Sequence, residues 1–322
     1  MEFYLSAASS ITHQPTFKNA GFSDIIVPLA ETDELKSPNY KDYIDAGLLR
    51  RMSKILRMSV ACAKECISQA EIEQPDSIVV GTGLGCLQDT EKFLNTFLTV
   101  EGLLPPTSFI QSTHNTIAGQ ISLSMGNHGY NMTHTQNSLS FEHALLDAML
   151  LLSEDDSNIL VGAADEYIEI LDAIGAELDL PIHKQLTSGA SFFVLSNQQS
   201  SQSIAKLIAV EAIGLTNDIL SKIEDFLSSN NQKPAAIDLL LFSGIDLEIS
   251  GRVLTFFEAN GVEEDNLVNY LFYSGIYATA SAFALNFALD KIRQSTLIKN
   301  VLICNYLNKK NLGLMLIQSL EA

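Results

Sequence analysis

The sequence has little positive charge. Its 322 residues include 19 Lys and Arg against 38 Asp and Glu, so the formal net charge is −19. Because like charges repel, this balance argues against a nucleic-acid backbone or an anionic membrane as a partner. The hydrophobic content of 47% is high enough for one large domain or two fused halves, each with a substantial core. We therefore expect a soluble globular chain.

Long apolar runs and a secretion signal are also lacking. No segment approaches the roughly 18 consecutive apolar residues of a membrane-spanning helix. The N-terminal segment MEFYLSAASS has no basic region, and its apolar run is too short for a signal peptide. We expect no membrane span and a cytoplasmic localisation.

Cysteine is scarce, with four in the chain. Only Cys62 and Cys66 are close together, and their spacing places them on adjacent turns of a predicted helix, so we expect buried, reduced thiols and no metal site. The segment 76–85, DSIVVGTGLG, resembles a dinucleotide-binding loop, but Cys86 stands where the third glycine is expected. No acidic residue ends a second strand about twenty positions further on, because the region 89–98 is predicted to be helical. We therefore expect no cofactor.

Strands alternate with helices along most of the chain. This alternation predicts an α/β fold of mostly parallel sheets covered by helices. A polar segment rich in Gln and Ser, 197–204, is the best internal boundary and divides the chain into residues 1–200 and 201–322. The predicted strands are 3–8, 76–85 with its Gly-rich turn, 130–136, 159–162, 187–196, 205–213, 236–243, 300–304 and 313–319, and the predicted helices include 47–70, 89–98, 217–228, 248–259 and 277–292.

The segment 118–148 carries the most informative pattern. It predicts a helix, a Gly-flanked turn at 126–129, a strand at 130–136, a sharp corner at Asn137 and Ser138, and a second helix with a continuous apolar face. A strand that turns abruptly into a buried helix places the corner residue at the helix N-terminus. There, unpaired N–H groups and the helix dipole favour a developing negative charge. An acyl-transfer enzyme places its nucleophile at such a corner.

The segment 118–166 resembles the nucleophile region of β-ketoacyl-acyl-carrier-protein synthases, the condensing enzymes of the thiolase superfamily. The family pattern AGxxS, GxxGP, a strand, TAC, an Ala-rich helix and GG-x-E can be laid on this segment without a gap. Residues 50–52 (RRM), the glycine turn 81–85 and the segment 187–196 are similar to further family motifs. The resemblance implies a thiolase-like, five-layered α-β-α-β-α fold of two similar halves with mostly parallel sheets.

The resemblance also places the catalytic groups. Decarboxylative condensation requires a thiolate, two imidazoles and an oxyanion hole of backbone donors. The family's cysteine falls on Ser138, and its two histidines fall on Ser243 and Ile276. Its Gly-rich closing loop falls on 305–311, NYLNKKN, which has no glycine. The floor of the former active site would be lined by Phe242, Ile276, Tyr277 and Phe283.

A scaffold that is retained without its reactive groups is similar to chain length factors. Chain length factors are the inactive partners of ketosynthases in type II polyketide and aryl-polyene systems. The sequence motifs of the chain also resemble those of ketosynthase-like proteins of flexirubin pathways. The resemblance implies pairing with an active ketosynthase subunit, or with a second copy, through the strand from Gly129 to Gln136. Acyl carrier proteins are themselves acidic, so we expect contact with a carrier protein through the partner.

Two alternatives stay open. An acyltransferase or thioester hydrolase would use Ser138 as its nucleophile, which requires a neighbouring base. The spacing of the nearby histidines, His114, His134 and His143, favours structural or surface roles. We interpret the pair 165–166 (Asp-Glu) as a hydrogen-bonding group at a strand end, not as an acid–base dyad. The second alternative is a homodimeric binding protein without an acyl ligand.

Overall fold

A computed structural model describes residues 1–104, 106–154, 156–177, 186–308 and 310–320. Helices and strands alternate through these residues. None of the helices in the described ranges has the length and apolar character needed to cross a bilayer. In chain order the elements are β1 Tyr4–Ile11, α1 Ala46–Leu49, α2 Lys54–Ala70, β2 Ser77–Gly81, α3 Leu87–Thr99, α4 Pro106–Gln111, α5 Thr116–Met125, β3 Tyr130–His134, α6 Ser140–Ser153, β4 Asn158–Asp165, α7 Ile170–Glu177, β5 Gly189–Ser196, β6 Ala205–Ile213, α8 Ile219–Ser229, β7 Leu239–Phe242, α9 Leu247–Ala259, β8 Leu267–Asn269, α10 Leu271–Ser274, α11 Ser281–Gln294, β9 Asn300–Asn305 and β10 Leu312–Ser319.

The strands form one continuous hydrogen-bonded order, β3-β2-β4-β5-β1-β6-β10-β9-β7-β8. The first half contributes β1–β5 in the order β3-β2-β4-β5-β1, and the second half contributes β6–β10 in the order β8-β7-β9-β10-β6. Counted within its own half, each order is third, second, fourth, fifth and first strand, from the end of the sheet to its middle. The halves meet where β1 pairs with β6 through Tyr4 and Leu5. This repeat confirms the predicted α/β fold of two similar halves.

The pairing within the sheet is mixed, which corrects the prediction of mostly parallel sheets. Parallel pairing is confined to β3-β2-β4 in the first half and β8-β7-β9 in the second. The remaining pairs, including β4–β5 and β9–β10, are antiparallel. The last strand of each half returns directly beside the strand that precedes it in the chain, so no parallel crossover forms there.

The fold has five layers, because three hydrophobic cores separate two outer helix layers, two sheet layers and one middle helix layer. Helices α2 and α5 cover the outer face of the first half, and α8 and α9 cover the outer face of the second. Helices α6 and α11 lie between the two halves. Strand β4 illustrates the arrangement, because Ile159 and Val161 face the middle core while Leu160 faces the outer one, as the two-residue period of a strand requires.

Two aspartates perform the same task in the two halves. Asp76 immediately precedes β2, and its Oδ2 accepts hydrogen bonds from the backbone N–H groups of Ser157 and Asn158, at 2.8 and 2.9 Å. Asp238 immediately precedes β7, and its Oδ2 accepts from those of Lys299 and Asn300, both at 2.8 Å. Each carboxylate therefore fixes the start of the neighbouring parallel strand.

Two predicted helices have different starts in the structure. The helix predicted at 47–70 is divided into α1 and α2, because Ser53 has an extended backbone (φ −67°, ψ 171°) and α1 has its own cap at Asp45. The helix predicted at 277–292 begins only at Ser281. The backbone N–H of Thr279, just before it, donates to the Asp165 carboxylate at 3.0 Å.

Candidate functional site

A cavity of about 510 Å³ lies where the two halves meet, at the carboxyl ends of the strands. Such crevices are where ligands bind in open α/β sheets. Its walls come from the segments that follow β2, β3, β4 and β9, from the start of α7, and from the segments before β5 and α11. The lining residues are Leu84, Asn137, Ser138, Asp165, Glu166, Leu171, Leu186, Thr187, Ile276, Tyr277, Ala278, Leu307 and Asn308.

Ser138 lies at the corner that the sequence predicted. Strand β3 ends at His134, Asn137 adopts a left-handed backbone (φ 54°), and a short 3-10 turn leads into α6. The Ser138 side chain is 2% exposed, and its Oγ has no hydrogen-bond partner within the described ranges. The hydroxyl therefore sits at the N-terminus of a buried helix without a base to accept its proton.

Of the three residues in the catalytic positions, two line the cavity. Ile276 shares it with Ser138, whereas Ser243 is fully buried behind it. The Ser243 Oγ accepts a hydrogen bond from the Tyr306 backbone N–H at 2.7 Å and lies 3.5 Å from Asn305 Oδ1. Ser243 thus supports the end of β9, and its hydroxyl is already occupied.

Asn305 connects the corner to the layer behind it, and sequence reasoning missed it. Its Nδ2 donates to the Ser138 carbonyl oxygen at 2.7 Å and to Glu142 Oε1 at 2.8 Å, while its Oδ1 accepts from the Leu307 backbone N–H at 3.3 Å. Leu307 lines the cavity, so one backbone donor of the cavity wall is engaged internally. This loop, predicted to lie at 305–311, includes residue 309, which is outside the described residues.

Glu142 is the second residue that the sequence reading missed. It is fully buried on the face of α6 that carries Phe141 and Leu145, and its Oε2 has no partner in the described chain. Burial raises the pKa of this carboxyl to about 7, although the hydrogen bond from Asn305 lowers it. The only sequence signal was an acidic residue inside the apolar stripe of a core helix.

Two of the four predicted pocket residues lie elsewhere. Ile276 and Tyr277 line the cavity. Phe242, at the end of β7, points to the outer core and stacks on Tyr306, with ring centroids 6.4 Å apart and 11° between the planes. Phe283 is fully buried within α11 and packs in the middle core. The prediction was wrong for these two because position along the chain did not fix the direction of their side chains.

The histidines near Ser138 in sequence have other contacts. His134 Nε2 lies 2.9 Å from Asp147 Oδ2, and the His143 ring stacks on His134 with centroids 6.3 Å apart. The His114 ring lies against Gly85, where a Cβ would come within 2.7 Å of it. No imidazole of the described residues is hydrogen-bonded to the Ser138 hydroxyl.

Asp165 and Glu166 are hydrogen-bonding groups at the end of β4. Asp165 Oδ1 accepts from the Thr82 hydroxyl and from the Gly83 and Leu84 backbone N–H groups, and Oδ2 accepts twice from Thr279. Burial raises the pKa of Asp165, and these bonds oppose that shift. Glu166 Oε1 accepts from the Gln88 backbone N–H at 3.0 Å, and burial raises its pKa to about 7. Both carboxyls therefore fix neighbouring backbone, as strand-end groups do.

Fold and corner together define a thiolase-like condensing-enzyme architecture. A family model described as the N-terminal domain of β-ketoacyl synthase matches residues 30–205, and the chain belongs to the β-ketoacyl synthase family. No curated protein matches the chain.

Solved structures with the same fold include assembled synthase pairs. The ishigamide ketosynthase/chain length factor superposes with a TM-score of 0.80 at 13% identity, covering 99% of each chain. A ketosynthase (ApeO) in complex with its chain length factor (ApeC) from Xenorhabdus doucetiae gives 0.76 at 11% identity, covering 99% of this chain and 98% of the other. A type II polyketide synthase carrier protein in complex with its ketosynthase gives 0.79 at 13% identity, covering 99% of each chain. At these identities the likeness shows the fold.

Proposed function

We propose that the chain is a non-catalytic ketosynthase-like subunit, comparable in role to a chain length factor. It would serve in cytoplasmic fatty-acid- or polyketide-type synthesis, of the kind that builds aryl polyenes or flexirubins. The observation that carries the proposal is the unassisted hydroxyl of Ser138 beside Ile276, with Ser243 engaged in structural hydrogen bonds. The family scaffold holds the cavity, and the groups that line it cannot supply condensation chemistry.

The magnitude of the loss supports a non-catalytic role. A positioned general base contributes roughly 10²- to 10⁴-fold to a reaction rate. The serine hydroxyl is a weak nucleophile unless a neighbouring base activates it. Replacing a thiolate by this hydroxyl and both imidazoles by a hydroxyl and an alkyl group therefore leaves little condensing power.

The proposed partner is an active ketosynthase that pairs with β3. This strand is at one end of the sheet order, and no strand of the described chain covers its outer edge. The two helices that contact β3 carry exposed apolar side chains, with Leu123 on α5 78% exposed and Leu150 on α6 59% exposed. An exposed apolar surface beside an open strand edge favours association with another chain. A carrier protein would then be reached through this partner.

A substitution at Ser138 tests the proposal. We expect Ser138→Ala to leave copurification with coexpressed ketosynthases of the same organism unchanged and to leave the products of the reconstituted pair unchanged. The reason is that the hydroxyl has no partner to lose. The native chain alone should form no carbon–carbon bond from malonyl and acyl thioesters, as measured by product mass spectrometry. Condensation by the purified native chain would contradict the proposal.

An acyltransferase or thioester hydrolase is the second candidate. It is favoured by one observation, the unpartnered Ser138 Oγ at the N-terminus of α6 in a cavity wall. Incubation with acyl thioesters followed by intact-protein mass spectrometry separates the two functions. An acyl adduct on Ser138 that is absent from Ser138→Ala supports the second candidate and overturns the first. A native mass that shows only a dimer of this chain, with no bound acyl group and no ketosynthase, would indicate a homodimeric binding protein.

A further inference from the structure

Strand β3 has a well-defined position without being buried. Its sequence is YNMTH, and Tyr130, Asn131 and Met132 are exposed while its last two residues are half-buried. A short polar strand at the end of a sheet gains little from core packing. Pairing with β2 on one edge is its only backbone support in the described chain. Contacts of its side chains must therefore supply much of the free energy that stabilises the extended conformation of β3.

The start of β3 is fixed by a glycine and an asparagine. A Cβ at Gly129 would lie 1.9 Å from the Asp76 carbonyl oxygen, so only glycine allows this close approach. Asn127 bridges the same point, because its Nδ2 donates to the Pro75 carbonyl oxygen at 2.7 Å and its Oδ1 accepts from the Gly129 backbone N–H at 3.0 Å. These contacts fix the start of β3 against the residues that precede β2.

The two faces of β3 are tied to two different helices. On one face, Asn131 Nδ2 donates to the Ala118 carbonyl oxygen of α5 at 3.0 Å. On the other face, Asp147 of α6 holds both ends of the strand, because its Oδ2 lies 2.9 Å from His134 Nε2 and 3.4 Å from the Tyr130 hydroxyl. The residue alternation of a strand places Tyr130 and His134 on the same face, opposite Asn131.

We infer that Asn131 and Asp147 are positioning residues that hold the outer edge of β3 ready for the edge strand of a ketosynthase partner. This inference rests on the proposed function. Ordering the backbone of one residue costs about 1–2 kcal/mol, so a strand that became ordered only on association would lose much of its binding free energy. With the hydrogen bonds of Asn131 and Asp147, the backbone of β3 is already ordered when the free chain folds, so association does not have to supply this free energy. These hydrogen bonds also keep the ladder groups of β3 free for pairing, because they use only side chains of the strand.

The double variant Asn131→Ala/Asp147→Ala tests this role. In the free chain we expect amide hydrogen exchange of residues 130–134 to become about tenfold faster, because local opening is no longer opposed by these hydrogen bonds. With the ketosynthase captured by the native chain, we expect the dissociation constant to rise about tenfold or more, since preorganisation is lost. The melting temperature should stay nearly unchanged, because the four polar side chains involved, those of Tyr130, Asn131, His134 and Asp147, are exposed or half-buried. His134→Gln, which keeps an N–H donor toward Asp147, should retain most of the native affinity.

A matched control lies on the far side of the molecule. Asn260 donates to the Phe256 carbonyl oxygen at 2.8 Å, and Asp225 pairs with Lys222 at 3.4 Å, so Asn260→Ala/Asp225→Ala removes the same kinds of bond from α8 and the end of α9. This control should pair like the native chain. Unchanged affinity and unchanged exchange in the Asn131/Asp147 variant would overturn the inference while leaving the proposed subunit role intact. Failure of the native chain to capture any ketosynthase would overturn both.

Discussion

Replacing Asp165 with alanine is expected to lower the free energy of unfolding by about 4 kcal/mol, since each buried donor left without a partner costs roughly 1–3 kcal/mol. The carboxylate is 1% exposed and accepts five hydrogen bonds. Three come from the Gly-rich turn after β2 and two from Thr279, just before α11. Water from the adjoining cavity will satisfy some of these donors, which keeps the loss below the sum of the five.

Chemical denaturation at neutral pH measures this loss, and the melting temperature should fall by about 10 °C at 2–4 °C per kcal/mol for a chain of this size. Asp165→Asn should be intermediate, because its carbonyl oxygen still accepts from the turn after β2, while its amide opposes the Thr279 N–H. The exposed carboxylate of Asp225, replaced in the same way by alanine, should cost less than about 0.5 kcal/mol. A loss below 1 kcal/mol for Asp165→Ala would show that the turn and α11 do not depend on this carboxylate.

Asp165 and Asn305 together explain why the cavity has a defined shape. Asp165 ends β4 of the first half and holds the backbone before α11 of the second. Asn305 ends β9 of the second half and holds the backbone before α6 of the first, at the Ser138 carbonyl oxygen. Each middle-layer helix is therefore anchored by the half to which it does not belong. The hydrogen bond from Asn305 therefore keeps the backbone corner at Ser138 in place, although no base accepts the proton of the Ser138 hydroxyl.

The sequence predicted the parts of this site that depend on local pattern. The strand, corner and helix around Ser138 follow from apolar spacing and glycine positions, and the position of Ile276 follows from motif order. Ser243 ends the predicted strand 236–243, but its burial behind the cavity depends on Tyr306 and Asn305, more than sixty positions away. No local pattern carries that information.

The errors have the same origin. The direction of Phe242 follows from which face of β7 meets the outer helices, and the antiparallel β5 and β10 follow from long-range pairing. Asn305 was hidden because an asparagine after an apolar strand is typical of many loops, while its role arises only when β9 of one half lies beside α6 of the other. Motif order fixes which elements exist, and the cross-half contacts decide what each side chain does.

Glu142→Gln is expected to stabilise the protein above pH 7 and to have little effect near pH 4.5. The Glu142 carboxyl is fully buried, and its pKa rises from 4.5 to about 7 because the charged form is not solvated. Between these values the folded chain holds a proton that the unfolded chain has released. Stability contributed by this group is therefore full below about pH 4.5, falls as the pH rises to about 7, and stays at the lower level above it.

The size of the effect follows from the same two pKa values. Their difference corresponds to about 3 kcal/mol, at 1.36 kcal/mol for each pKa unit, and glutamine removes it because it cannot ionise. Urea denaturation of the native chain and the variant at pH 5, 6, 7 and 8 should give two curves that separate as the pH rises. Glu166, whose pKa is also raised to about 7, will leave a slope of the same sign in both proteins, so the difference between them reports Glu142 alone.

Glu258→Gln, at the exposed end of α9, provides the control. The curve of stability against pH for this variant should run parallel to that of the native chain. Curves for Glu142→Gln that stay parallel to the native one would mean that water reaches the carboxylate and solvates its charge. In that case the polar cluster of Glu142, Asn305 and Ser243 would be hydrated beneath Ser138, and water could then accept the proton of the Ser138 hydroxyl. The pH dependence of this one substitution therefore also decides whether the corner is as dry, and as inert, as the unassisted serine implies.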